Sequence, residues 1–540
     1  MKIARQVSKE KLRGGYYTGE AIVDACYDIL ATTIDRRGGL SVLEPSAGDG
    51  AFVAGLRRAT ERGLFKDVRI DCVEVVEEEA AKCRERLRSA NVKGSVSNAS
   101  FFKWLNGHSG TFDALVGNPP YVRYQFVPEE DRYLAEVALR SRGFELDGVS
   151  NFWIPFVLLS FESLRVGGAF SFVLPSELLA TSSAKGVRSA LVANFEELSI
   201  HFFPRGSFPG VLQDVVIVSG RRADRADARE VRFVEHVKGQ VRQWSHRVLA
   251  TGEAWLRFLL SRKEIEAVEI AEQLPGFVRL NSVARIGVAI VTGANDFFTV
   301  DDATIDAYNL EQWARPLLAR TADSTGLVFY KRDHAASRKA GRKAWLLAFS
   351  ADGPSPMRNP SAAYYLQHGE KLGLPKRYKC GIREPWYRVP DVRTGRLLLA
   401  KRSHRHPRLL LNSAGVFTTD TIYRGEMRSR CGGRLRDLVA GFHNSLTMLS
   451  AELEGRTYGG GVLELVPTEV ARLIVPFASL GKHLKHLDSV SRASGGQADS
   501  SDALIAATDE LVLKALPAAN PIFDTIIAAR ARLMKRRFIG

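Results

Sequence analysis

Through the first 220 residues, short apolar runs bounded by glycine and polar turns alternate with stretches of helical periodicity. Leu40-Ser41-Val42-Leu43-Glu44 reads as a buried strand that gives way at Pro45-Ser46-Ala47-Gly48-Asp49-Gly50 to a helical pattern from Ala51. Val68 to Val73 is a second strand, ending in Glu74, and Phe112 to Gly117 is another, ending at a proline-rich turn. After Gly167-Gly168 come the runs Ala169 to Leu174, Leu198 to Phe203 and Asp214 to Ser219. Strands alternating with helical stretches predict a mostly parallel sheet closed by a late hairpin. From Arg221 to Gln240 the chain turns charged and weakly periodic, which predicts a domain boundary. Short strand-like runs such as Val283 to Val291 follow from about Phe277, separated by Gly, Asn and Asp turns. A polar stretch, Ser491 to Ser501, reads as a linker to a closing helical segment, Ala503 to Lys535. The predicted divisions are 1–240, 241–490 and 491–540.

Length adds that 540 residues exceed one core and favour two or more domains. Charge adds a direction. The chain carries a formal +16, and residues 1–240 hold 32 Lys and Arg against 31 Asp and Glu, whereas residues 241–540 hold 44 against 29. So one-sided an excess marks an electrostatic footprint for a polyanion, nucleic acid first. The five cysteines form no Cys-x-x-Cys pair, which predicts neither a disulfide framework nor a zinc site. His404 and His406 lack acidic or thiolate partners in sequence, so no metal is expected. Neither a signal-peptide core at Met1 to Gln6 nor a bilayer-length apolar run is present, the longest being Phe152 to Phe161. A cytoplasmic protein with no membrane partner is the expectation.

The candidate chemistry centres on Asn118-Pro119-Pro120-Tyr121, directly after the strand 112–117. Two prolines fix φ and remove two backbone donors, leaving carbonyl oxygens as bare acceptors. With the Asn118 amide oxygen and the Tyr121 ring, such a corner suits a planar amine, offering two acceptors for its two N–H groups and an aromatic surface beside it. The small residues at Pro45 to Gly50 allow a ligand to approach the backbone, and an acidic residue at Glu74 stands where a doubly wound fold holds ribose hydroxyls.

In order along the chain, Tyr16-Tyr17-Thr18, Val42 to Gly50, Glu74 and Asn118-Pro119-Pro120-Tyr121 resemble the gamma-class, TaqI-like adenine-N6 DNA methyltransferases of restriction-modification systems. The resemblance covers roughly residues 13–220 well, and later survives at Trp386-Tyr387 and at Thr457 to Pro467. It implies a Rossmann-like domain with a mixed seven-stranded sheet, then an α+β target-recognition domain. It implies S-adenosylmethionine as cofactor and double-stranded DNA as substrate, with any endonuclease a separate chain and the enzyme monomeric on DNA. Tyr17 and Thr18 would hold the methionine end, Glu44, Pro45, Ala47, Gly48 and Gly50 would lie against the cofactor, and Glu74 would accept from the ribose. Ser100 stands where the family has an Asp contacting the cofactor adenine, which leaves that contact weaker, water-mediated or supplied by Asn98. Gly19 stands where the family has proline. Asn118 and Pro119, with Pro120 stiffening the turn, would carry the chemistry, and Tyr121 and Phe208 would flank the target base.

Beyond the turn, Arg123 and Tyr124 could reach the DNA backbone or the orphaned partner strand. The clusters around Arg377, Arg383 with Trp386-Tyr387, and Lys401-Arg402 suit phosphate contacts with a few base-edge readers. Two alternatives remain at this point. One is an N-methyltransferase acting on RNA or on protein glutamine, which would be compact and need no further 300 basic residues. The other is an inactive DNA-specificity module. No Pro-Cys dipeptide occurs, which argues against a cytosine-C5 enzyme with a cysteine nucleophile. Pro390-Asp391 could open a nuclease metal site, but Leu399-Ala400-Lys401 lacks the carboxylate.

Overall fold

The computed structural model describes residues 18–35, 38–144, 151–203, 215–237, 240–349, 353–458, 461–493 and 501–538. It separates into two compact units, one of residues 1–262 with 538–540 and one of residues 263–537.

In the first unit, α1 (Glu20–Thr33) precedes β1 (Gly38–Glu44), α2 (Ala51–Glu61), β2 (Lys66–Glu74), α3 (Glu77–Ser89) and β3 (Lys93–Asn98). Then come the short α4 (Phe101–Trp104), β4 (Phe112–Gly117), α5 (Glu129–Arg140), α6 (Trp153–Ser160), β5 (Leu164–Pro175) and α7 (Lys185–Asn194). The chain continues as β6 (Phe195–Phe202), β7 (Val215–Arg222), β8 (Ala228–Val237) and β9 (Gln240–Leu249). They form a single nine-stranded sheet in the order β3-β2-β1-β4-β5-β7-β6-β8-β9. β3, β2, β1, β4 and β5 are mutually parallel, and β7 runs antiparallel between β5 and β6. Every residue of β4 is buried, as a central parallel strand covered on both faces requires. The apolar stripe of α1 fits the sheet, and Tyr27 donates its hydroxyl to the Phe52 carbonyl at 2.8 Å.

Seven strands correspond to the expected sheet, and two more extend it. The charged stretch 221–240 is not a linker: β8 pairs in parallel with β6 and antiparallel with β9, carrying the sheet to Leu249. Its charges alternate with Val231 and Phe233, both fully buried, so composition hid an amphipathic strand. Arg188 closes this end of the unit. Its buried guanidinium donates to the carbonyls of Leu178, Thr181, Gly252 and Glu253 at 2.6–3.1 Å, and burial lowers its pKa to about 10.

The second unit is α+β. Strands 284–287, 422–427, 397–400, 409–412 and 328–329 form a five-stranded sheet in that order, and smaller two- and three-stranded sheets sit beside helices such as 360–371 and 435–442. The expected run Val283 to Val291 is a strand only over Ala284–Gly287, with Ile290 making an isolated bridge to Thr419. The closing segment forms two helices, Ser501–Ala515 and Asn520–Phe538, split at Pro517. Part of the expected linker is also helical, since Leu484–Ala493 runs through Ser491, while 494–500 lie outside the described residues.

Candidate active site

Four parallel strands end side by side in the order β3-β2-β1-β4, and the strand order reverses between β1 and β4. Ligands of open α/β sheets bind outside the carboxyl ends of the strands at such a reversal. The carboxyl ends here carry Ser100, Glu74, the Pro45–Gly50 turn and Asn118, so the residues singled out in sequence converge.

The turn after β1 is pinned from beneath. Ala47 donates its N–H to the Val73 carbonyl at 2.9 Å, and Gly50 to Ala47 at 2.9 Å. Its two glycines do different work. Gly48, at φ +52°, has open space where a side chain would begin, so a ligand can lie against its backbone. Gly50, at φ +85°, faces α3, and a Cβ there would stand 3.0 Å from the Cys83 Sγ and 3.1 Å from its Cα. Its side-chain position is taken up by packing between turn and helix.

Glu74 is held in place by backbone. One carboxylate oxygen accepts from the Gly48 N–H and the other from the Val76 N–H, both at 2.8 Å. Burial pushes its pKa up, and those two donors oppose the shift. Glu44 differs: it is 1% exposed, its nearest polar partner is the Cys72 thiol at 3.8 Å, and burial holds its carboxyl well above the usual carboxylate range. Of the two acids, Glu74 is the one at the crevice. Pro45 and Ala47 are buried beneath the turn.

At the end of β4, Asn118 is half-buried and Pro119 buried. The Asn118 Nδ2 donates to Thr18 Oγ1 at 3.1 Å, while its Oδ1 is buried with no hydrogen-bond partner among the described residues. Among the described residues no donor reaches the Pro119 carbonyl either, whereas that of Pro120 accepts from the Val122 N–H at 3.1 Å. A buried amide oxygen without a partner costs about 1–3 kcal/mol, so this oxygen is a ready acceptor for an incoming donor. Tyr121 donates its hydroxyl to the Val173 carbonyl at 2.9 Å, and burial pushes that phenol's pKa well up, so the ring is anchored as a neutral donor. Thr18 thus orients the Asn118 amide, a contact for which sequence spacing gave no signal. Gly19, where a proline was expected, has φ −64° and caps α1 through its carbonyl, so the proline-like backbone is retained.

Asn98 does not point into the crevice. Its amide donates to the Glu74 and Val75 carbonyls at 3.0 and 3.3 Å, stitching β3 to β2. The Ser100 hydroxyl donates to the carboxylate of Asp131 on α5. Arg123 is exposed, and Tyr124 packs against Phe152 at 6.2 Å with the Arg132 guanidinium 5.6 Å from its ring centroid. Tyr17 and Phe208 lie outside the described residues.

In the second unit the basic candidates divide by occupation. Arg383 donates to the Val291 and Thr292 carbonyls at 2.6 and 2.7 Å, and Trp386 and Tyr387 are half-buried against Phe297, Phe298 and Phe349. Lys401 and Arg402 both pair with the Glu464 carboxylate. Arg377, with Lys376 and Lys379, is exposed beside Tyr378 and in no ion pair among the described residues.

The residues present fit S-adenosylmethionine: an open glycine cradle, an anchored carboxylate one strand away, and an unpartnered acceptor where a methyl would be delivered. Two family descriptions match the chain, "Eco57I restriction-modification methylase" over residues 63–208 and "Type II methyltransferase M.Eco57I, C-terminal domain" over residues 252–513. Among curated relatives, the Type II methyltransferase M.AccI of Acinetobacter calcoaceticus is 21% identical, the alignment covering 80% of this chain and 79% of the relative. M.XamI of Xanthomonas campestris pv. amaranthicola is 22% identical, covering 86% and 85%. Among solved structures, the Type IIL restriction-modification enzyme MmeI in complex with DNA shares the fold at a TM-score of 0.57 and 13% identity, over 98% of this chain and 79% of that one. The chain thus carries matches to two domains of Eco57I-type restriction-modification methylases and is similar over most of its length to Type II methyltransferases, with S-adenosylmethionine as the cofactor.

Proposed function

We propose that the protein is a site-specific DNA adenine-N6 methyltransferase, the modification enzyme of a restriction-modification system. The observation that carries this reading is the buried Asn118 Oδ1, which like the adjacent Pro119 carbonyl has no hydrogen-bond donor among the described residues, at the strand end next to the 45–50 turn.

An exocyclic adenine amine is a poor nucleophile because its lone pair is delocalised into the ring. Two acceptors that take its N–H groups draw the nitrogen toward tetrahedral geometry, return the lone pair and stabilise the positive charge that grows on it. Thr18 fixes the amide so that oxygen, not nitrogen, faces the amine. The cofactor supplies an activated sulfonium methyl, so the protein's remaining task is in-line positioning. Neither a general base nor a covalent intermediate is needed. The target amine is inaccessible within a duplex, so the base must be swung out, and the anchored Tyr121 ring offers a surface for it.

The test is to incubate the full chain with methyl-labelled cofactor and plasmid DNA and to map the modified bases. N6-methyladenine within one short sequence is expected. Methylated cytosine, or label transferred to protein or RNA in preference to DNA, refutes the assignment.

A further inference from the structure

The carboxyl end of β3 holds a side-chain pair that the chemistry above leaves unused. Ser100, the residue before α4, donates its hydroxyl to Asp131 in the first turn of α5 rather than capping its own helix. The pair occupies the outermost position in the row of strand ends. A methyl delivered to Asn118 leaves from the β4 end, and Glu74 marks the ribose position two strands away at β2. In S-adenosylmethionine the ribose separates the sulfonium from the base, so the base must continue away from β4, toward β3. Along that path Val75 is 59% exposed, an apolar surface for the face of a heterocycle. Asn98, the other polar side chain nearby, is committed to the Glu74 and Val75 carbonyls. What remains at the edge of the heterocycle is the Ser100–Asp131 pair, and the ring edge of adenine presents an amine that requires an acceptor.

We propose that Asp131, delivered from α5, is the acceptor that selects the adenine amine of the cofactor, and that Ser100 positions its carboxylate. The carboxylate lies on a different helix, 31 residues along the chain from Ser100. This rests on the cofactor assignment, not on the identity of the methylated base.

The test is calorimetric, on the full chain without DNA, using S-adenosylhomocysteine and S-inosylhomocysteine as probes. The inosyl probe exchanges the amine for a carbonyl that a carboxylate repels. The native protein should prefer the adenosyl probe by about tenfold or more, the range of one charge-assisted hydrogen bond. Asp131→Ala should bring the ratio near one by weakening the adenosyl probe alone, and the exchange Ser100→Asp with Asp131→Ser should restore the preference by returning a carboxylate to the strand end. A ratio unchanged in Asp131→Ala overturns the proposal, whether both affinities fall together, as loss of a merely structural tie would cause, or neither falls. Failure of the native protein to bind either probe overturns the cofactor assignment along with it.

Discussion

Replacing Asn118 with alanine should separate activity from stability in an unusual direction. The substitution removes a hydrogen bond from Nδ2 to Thr18, worth about 0.5–1.5 kcal/mol net. It also removes a buried oxygen that has no partner, whose desolvation costs about 1–3 kcal/mol. The balance runs from about 0.5 kcal/mol of destabilisation to about 2.5 kcal/mol of stabilisation. In a unit of this size that corresponds to a melting temperature from about 2 °C lower to several degrees higher. Catalysis behaves oppositely, because loss of one oriented dipole aimed at developing charge costs about 3–4 kcal/mol, or 10²–10³ in rate. Cofactor affinity should stay within about twofold, since Asn118 lies beyond the turn and the carboxylate proposed to bind it. Differential scanning calorimetry, a cofactor titration and single-turnover methyl transfer on duplex DNA measure the three quantities. Unchanged turnover refutes the acceptor role. A melting temperature lowered by more than about 4 °C refutes the premise that the oxygen is unsatisfied.

The two glycines of the cofactor turn should separate in the same way. Gly48→Ala should fold at a cost of about 1 kcal/mol for a left-handed non-glycine residue and weaken cofactor binding, whereas Gly50→Ala should destabilise more through its contact with Cys83, as paired melting and binding curves would show. Arg188→Ala should leave four carbonyls short of a donor and cost about 3 kcal/mol or more in thermal unfolding, with lysine restoring little because it cannot fork between them. Asp509 is buried, accepts from the Ser445 N–H and Oγ, and is raised by burial to about 6. A raised carboxyl stabilises below its unfolded pKa near 3.8 and loses that contribution as pH rises through about 6, so Asp509→Asn should gain on the native protein over that window, by about 3 kcal/mol at most. For DNA binding, Arg377→Ala with Lys379→Ala should reduce the log–log salt slope by about 2, at about 0.9 per phosphate contact, while Arg383→Ala should lower the melting temperature instead. An unchanged slope would free those two residues of the role.

The first unit was largely legible because its signals are local. A strand followed by a small-residue turn and a helix is one contiguous pattern, so β1, the Pro45–Gly50 turn and α2 could be placed together, as could β4 and the Asn118 corner after it. Long-range partners were hidden. Thr18 meets Asn118 across 100 residues and Asp131 meets Ser100 across 31, and no spacing rule connects either pair. Charge misled where it coincided with alternation: the stretch 221–240 looked like a boundary because Arg229, Glu230, Arg232 and Glu235 outweighed the buried Val231 and Phe233 among them. In the second unit every described strand but Ile422–Met427 has only two to four residues, too short for a period of two to emerge from the sequence.

Basic composition and basic availability are different quantities, and the second unit shows why. Of its candidate phosphate contacts, Arg383 is committed to two backbone carbonyls, and Lys401 and Arg402 share Glu464. Breaking such a tie to reach DNA would cost the tie itself, so these side chains offset little of the association entropy. The exposed run Lys376-Arg377-Tyr378-Lys379 carries no such debt: three cations flank a tyrosine that is 75% exposed, with the Lys379 ammonium 5.3 Å from its ring centroid. An aromatic ring kept in water among unpaired cations is costly for a monomer and useful against a polyanion with stackable bases. Among the candidate cations, the exposed run 376–379 is therefore where positive charge is both present and available.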